Sequence, residues 1–274
     1  MRNNLLNAPN FNQQVGAFIR LICIVTLQLG AGCKDNDSPI IVVAPPETTA
    51  SCDSVLYPHS SPHFSFYYSS LDTNICEIAD SLENNYFRII NDLQTDTLPV
   101  VNIHFYDNHD SLALAVSAIV PNLPSWAIGL ATAQDQIHLM SPNFTGYSFE
   151  YMITNLIHEF AHCVSIHINS TIPDNPRWLW ESVAIYEAGQ FVDPHNIPYL
   201  VNHNPPTLTT LNSYSNTMIY DVGYLIAEYI VDNWDYEHLS ELIVNNGDIQ
   251  STLSLTTTEF QDAWFEYVQV KYGI

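Results

Sequence analysis

Of 274 residues, 47% are apolar and 13% charged, enough to build a sizeable core in one large domain or two small lobes. Six Lys+Arg face 29 Asp+Glu, a formal charge of −23, which excludes nucleic acid as a partner because phosphate binding needs clustered cations. The acidity suits a soluble surface that repels its neighbours; a preference for cationic substrates is the other reading.

In chain order, the first segment stands apart from any fold. Arg2 and Arg20 are the only charges before Lys34, and LICIVTLQLGAGC is apolar, short and ends in small residues. That pattern predicts a secretory signal over residues 1–32 and is too short for a comfortable transmembrane span. LGAGC resembles a bacterial lipobox, in which Cys33 becomes the lipidated first residue; cleavage at an ordinary small-residue site is the alternative. The KDNDSP that follows is similar to the export signal of surface lipoproteins in some Gram-negative bacteria. The expected location is therefore the bacterial outer membrane, surface-exposed and held only by lipid at Cys33, with the periplasm or secretion as alternatives. Residues 33–60, rich in Pro, Ser, Thr and Asp, read as a tether. Removing Cys23 with the signal and Cys33 to lipid leaves Cys52, Cys76 and Cys163. An oxidising compartment permits a Cys52–Cys76 disulfide, and Cys163 projects to the apolar side of its helix as a buried thiol.

From His63 the pattern becomes regular. HFSFYYS alternates and is aromatic, which predicts a strand. TNICEIADSLENNYFRIINDL carries Ile75, Ile78, Ala79, Leu82, Tyr86, Ile89, Ile90 and Leu93 at helical spacing. LPVVNIHFYD is a second strand, and HDSLALAVSAIV a short helix that stops at Pro121. WAIGLAT and DQIHLMS are two strands of a hairpin joined by Ala133-Gln134. A helix starts at Phe149. Beyond residue 170 strand signals fade: RWLWESVAIYEAG is a helix between Pro176 and Gly189, residues 190–219 are a Pro- and Asn-rich connection, and YDVGYLIAEYIVDNW, YEHLSELIVNN and TEFQDAWFEYVQVKY are helical. The expectation is an α+β fold, with a mixed α/β lobe over 61–170, a helical lobe over 171–274, and a cleft between them as the natural place for a site.

The helix from Phe149 contains HEFAH. Phe149, Met152, Ile153, Leu156, Ile157, Phe160, Ala161 and Val164 form an unbroken apolar stripe. His158 and His162 fall about 40° apart on the opposite face, one turn apart along the axis, with Glu159 beside them. Two histidines at i and i+4 can bind one zinc ion, and the intervening Glu can serve as general base; two surface histidines with a salt-bridging Glu satisfy the same spacing. A hydrolytic zinc site needs a third protein ligand. Glu181 lies on an apolar helical face with Trp178, Ala184, Ile185 and Ala188, where a carboxylate requires a partner. A metal supplies one, and Arg177 or Arg88 would supply another.

HEFAH, a gap of eighteen residues and WLWES.A.YE together resemble the gluzincin zinc metallopeptidases, which include the aminopeptidase-N and thermolysin-like peptidases. The gap is that of the aminopeptidase type, whose motif reads W-L-N-E-G; Trp180 stands here in place of Asn and Ser182 in place of Gly. The order of elements over residues 61–274 is similar to a gluzincin catalytic domain, whereas the aminopeptidase motif G-x-M-E-N is absent and AIGLAT stands near its place. The resemblance implies a zincin-like fold, one Zn2+ held by His158, His162 and Glu181, Glu159 as general base and a peptide or protein substrate. YDVG resembles the Tyr-x-x-Gly of these enzymes, which implies Tyr220 as donor to the oxyanion; Tyr224 and Tyr214 compete, and an aromatic that merely packs is the plain alternative. Metzincins are excluded, since their Gly and third His would fall on Ser165 and Ile168. His167 is off register, Glu187 is a weaker alternative ligand, and His104, His138, His195 and His203 show no ligand spacing.

The expected activity is zinc-dependent hydrolysis of peptide bonds. Two alternatives stay open: a binding lipoprotein that takes peptides or glycans in the same cleft without cutting them, and a structural zinc protein, which would more often show four Cys/His ligands.

Overall fold

The computed structural model describes residues 59–68, 74–142 and 146–274. The signal, the lipobox and all but the last residues of the tether lie outside them.

Period-two alternation builds the sheet. A short strand β1 (His59–Ser60) turns back into β2 (Phe64–Tyr67), and helix α1 (Ile75–Asp92) carries the chain across to β3 (Val101–Tyr106). Helix α2 (His109–Val116) is followed by a hairpin of β4 (Gly129–Ala133) and β5 (Gln136–Met140). The order is β1-β2-β3-β5-β4, with β2, β3 and β5 parallel and the outer strands β1 and β4 antiparallel to their neighbours. Register sets Phe66 beside Ile103 and Ile103 beside Ile137, so one face is a continuous apolar row. The hairpin turn is Gln134-Asp135 rather than Ala133-Gln134. A bulge between Ala131 and Ala133 lets Ala133 pair with Gln136 and lengthens β4 by one residue.

Helix α3 (Phe149–Ile168) begins at Ser148, whose hydroxyl accepts from the Tyr151 N–H at 3.2 Å. Phe160 packs edge-on to Phe64, with ring centroids 5.2 Å apart, and over Tyr86 of α1, which fixes α3 against the sheet. The predicted stripe is buried, but the opposite face is buried too: every residue from Leu156 to Ser165 is covered. The helices that follow cover it. They are α4 (Arg177–Glu187), a 3-10 turn at Pro194–Asn196, the single turns α5 (Pro198–Val201) and α6 (Leu208–Leu211), α7 (Ile219–Trp234), α8 (Tyr236–Val244), α9 (Ile249–Leu253) and α10 (Thr257–Tyr272). The connection over 190–219 is thus partly ordered into short turns, each started by a local cap such as Asp193 before Pro194 or Thr207 before Leu208.

Mixed α/β architecture is therefore shown, with a five-stranded sheet and ten α-helices among the described residues. One core runs from Phe64 to Val268, and no described helix is long and apolar enough to cross a membrane. Cys163 is the buried free thiol expected. Cys76 is disulfide-bonded, and its partner lies outside the described residues, as Cys52 does.

Helices α4 and α7 approach closely at Gly223. A Cβ there would stand 2.7 Å from Cδ1 of Ile185 and 3.3 Å from the Ser182 Cα. The glycine of YDVG thus lets the helix bearing Tyr220 lie directly against the helix bearing Glu181.

Candidate metal centre

His158, His162, Glu159 and Glu181 are all buried, each under 9% exposed. Helix α3 supplies the first three and α4 the last. Glu181 Oε2 lies 3.4 Å from His158 Nε2 and 3.9 Å from His162 Nε2, and one ligand atom from each residue falls within 4.8 Å of the others. Two donors bound at ~2.0–2.1 Å to one tetrahedral ion stand roughly 3.3–3.4 Å apart. The group therefore fits a single metal ion with only small movement. Its donor atoms are also under-used: Glu181 Oε2 and Glu159 Oε2 are buried with no hydrogen-bond partner among the described residues.

Each ligand is held by its neighbours in a different way. His158 Nδ1 donates to Gln190 Oε1 at 2.9 Å, which turns Nε2 toward Glu181. Gln190 is placed by the end of α4: Gly189 has φ of +66°, its N–H bonds to the Tyr186 carbonyl, and the Gln190 N–H bonds to the Ile185 carbonyl. This is a Schellman turn, which needs glycine at the left-handed position. The sequence marked Gly189 as a helix stop; that the next residue reaches the site was missed, and the Gly-Gln pair was the available signal. His162 Nδ1 is buried without a hydrogen-bond partner, and its ring lies flat on Trp180, with centroids 3.8 Å apart and planes 11° apart.

Glu159 is unlike an ordinary carboxylate. Burial pushes it up to about 7, with His158 and a backbone hydrogen bond from Ala131 opposing and Glu181 adding to the rise. Ala131 belongs to the edge strand β4, so that strand runs directly past the carboxylate. Gly129 is needed there, because a Cβ would collide with Leu139 and stand 3.4 Å from Glu159 Oε1. Burial, then the charge of His158, holds His162 well below the usual histidine range. Burial also opposes the charge on His158, but the Glu181 and Glu159 carboxylates outweigh it and raise His158.

Tyr220 reaches the site, its hydroxyl 3.4 Å from Glu181 Oε1. Its competitors do not come as near. Tyr224 packs among Tyr186 and Phe191. Tyr214 is 70% exposed and lies 5.8 Å from the Arg177 guanidinium. Of the two arginines weighed as partners for Glu181, Arg88 binds Glu187 at 2.6 Å, which removes both from the centre. Arg177 does approach, its Nε 3.9 Å from Glu181 Oε1, but its Nη1 donates to the carbonyls of Leu211, Ser213 and Asn216. That role in holding the loop before α7 left no mark in the sequence. His104 and His138 stack side by side on the outer face of the sheet, and His167, His195 and His203 bond to Gln134, Asp193 and Gln269.

A cavity of about 470 Å³ opens over this group, walled by Trp126, Tyr151, Phe191 and Tyr220 as well as by His158 and Glu159. Comparison with known protein families, with curated proteins and with solved structures finds no match to the chain.

Proposed function

We propose that the chain is a zinc-dependent metallopeptidase of gluzincin type, with His158, His162 and Glu181 as zinc ligands and Glu159 as general base. The observation that carries this reading is the convergence of His158 Nε2, His162 Nε2 and Glu181 Oε2 beside a carboxylate raised to about 7. Zinc bound there would supply Lewis acidity and a lowered pKa for water. Glu159 takes the water proton on its unpartnered Oε2 and passes it to the leaving amine; a base titrating near the working pH suits both transfers. Tyr220, at the rim of the cavity, donates its O–H to the developing oxyanion. Burial comes first among the causes that raise Tyr220 above the usual tyrosine range, so it keeps its proton to donate.

The substrate in this reading is an extended peptide. It adds to the free edge of β4 and so passes Glu159. Trp126, Tyr151 and Phe191 are exposed on the cavity wall, which favours a large apolar side chain next to the scissile bond. The cleft lies between an α/β lobe and a helical lobe in this scheme, and lipid at Cys33 holds the enzyme at the outer membrane.

The test is mass-spectrometric cleavage of a diverse peptide library by zinc-loaded protein starting at Lys34, beside its Glu159→Gln variant. Cleavage by the parent alone is expected, with cuts inside peptides next to aromatic or large aliphatic residues. Zinc bound by both proteins with no cut by either would favour a binding lipoprotein that uses the same cleft.

A further inference from the structure

We propose that Trp180 is a positioning residue for His162, holding its imidazole as a metal ligand by ring stacking where His158 is held by a hydrogen bond; this rests on the metal centre read above. The two histidines are treated differently by the fold. His158 has Gln190 on its far nitrogen at 2.9 Å. His162 has no hydrogen-bond partner on Nδ1, although that atom is buried. A metal-ligating histidine nearly always has its second nitrogen engaged, which sets the ring plane and makes the ligand more basic. The contact that sets the ring plane of His162 is the indole of Trp180, 3.8 Å away and 11° from parallel. Trp180 is itself 6% exposed and precedes Glu181 on α4. One short stretch of helix thus supplies both a ligand and the platform for another ligand.

Stacking can do what the missing acceptor would do. It blocks rotation of the imidazole about its Cβ–Cγ bond, so Nε2 stays aimed at the Glu181 carboxylate. It also favours the bound form: coordination draws electron density out of the imidazole, and the electron-rich face of an indole attracts a ring that has become more positive. A tryptophan that only filled space would do neither.

The experiment uses the full chain, purified in detergent and stripped of metal, and measures zinc affinity by competition with a chelating dye. Trp180→Phe keeps a flat ring and is expected to bind zinc within ~3-fold of the parent, whereas Trp180→Leu is expected to bind roughly 10–100-fold more weakly. Cobalt gives a second readout. It should quench indole emission in the parent, and most of that quench should be missing from Trp180→Phe although cobalt still binds. Zinc affinity in Trp180→Leu equal to the parent's, with only lower stability of the metal-free protein, would overturn the proposal and leave Trp180 a packing residue. If the Leu variant does not fold, an undiminished cobalt quench in Trp180→Phe overturns it equally. A parent that binds neither metal overturns the underlying reading of the centre instead.

Discussion

Substituting Gly223 with Ala sets two effects of opposite sign against each other. Gly223 lies inside α7, and alanine in a helix interior is favoured over glycine by about 1 kcal/mol. Were the position open, the variant would be more stable than the parent. It is not open: the new methyl would stand 2.7 Å from Ile185 Cδ1, 3.3 Å from the Ser182 Cα and 3.4 Å from the Ser182 Oγ. Ile185 is 1% exposed and has no free space to turn into, and the Ser182 contact is with backbone, so α4 and α7 must separate. Overpacking of this kind costs about 1–3 kcal/mol. The net expectation is a loss of about 1 kcal/mol, or a melting temperature lower by ~2–4 °C for a domain of this size. Activity should suffer more. Tyr220 lies one turn before Gly223 and Glu181 is adjacent to Ser182, so separating the helices widens the 3.4 Å between the Tyr220 hydroxyl and Glu181 Oε1. Misplacing a group by ~1 Å can cost 10²-fold, so a tenfold fall in peptide cleavage is a moderate expectation. Urea unfolding and cleavage of one good peptide measure both quantities. A variant about 1 kcal/mol more stable than the parent would mean that helix propensity acts alone, and would refute the close approach of α4 and α7.

Arg177→Met should cost about 3–5 kcal/mol in metal-free protein, since it strips three carbonyls of their donor and leaves Glu181 without its nearest cation; with zinc bound, the loss seen in urea unfolding should be smaller. Saturating zinc at about a thousand times Kd should stabilise the parent by about 4 kcal/mol, a rise of roughly 10 °C that a chelator reverses, whereas His162→Ala should show almost none of it. Burial, then the charge of His104, lowers His138 to about 4. Because the folded value lies below the unfolded value of about 6.5, this group stabilises the fold above pH 6.5, and that contribution disappears as pH falls toward 4. Allowing for its partial exposure the effect is about 1–3 kcal/mol, and His138→Gln should flatten that part of the stability–pH curve.

The strands and long helices were legible because their signals are local. Alternation in HFSFYYS and helical spacing around Ile75 need no knowledge of the rest of the chain, and Pro176 and Gly189 bound α4 in sequence and structure alike. The pairing of HEFAH with Glu181 was legible from spacing. What failed was anything set across space. The sequence left Glu181 with a choice of Arg177 or Arg88, and only packing shows that Arg88 is taken by Glu187 on the far end of α4. Trp180 and Ser182 read as departures from a motif; the stack on His162 and the contact with Gly223 give each a place. The opposite face of α3 was expected to present its histidines from an otherwise polar side, but α4 covers it, and burial is what perturbs Glu159 and both histidines.

The charges around the centre also bear on why a cation belongs there. Three Lys or Arg side chains lie among the described residues. Arg88 is committed to Glu187 and Asp92, Lys271 to Glu228 and Asp232, and Arg177 to three carbonyls. Glu159 and Glu181 are thus buried with one partly occupied arginine between them. A neutral His162 turns Nε2 toward a carboxylate oxygen 3.9 Å away, and if that nitrogen carries its lone pair the two repel. A positive charge at the common point of the three ligand atoms converts that repulsion into three attractions. A proton on His158, which the two carboxylates favour, satisfies only one of the three contacts, and a metal ion must displace it to bind. A divalent ion serves both imidazoles and the carboxylate at once, and it leaves Glu159 beside it as a base with an unpartnered oxygen.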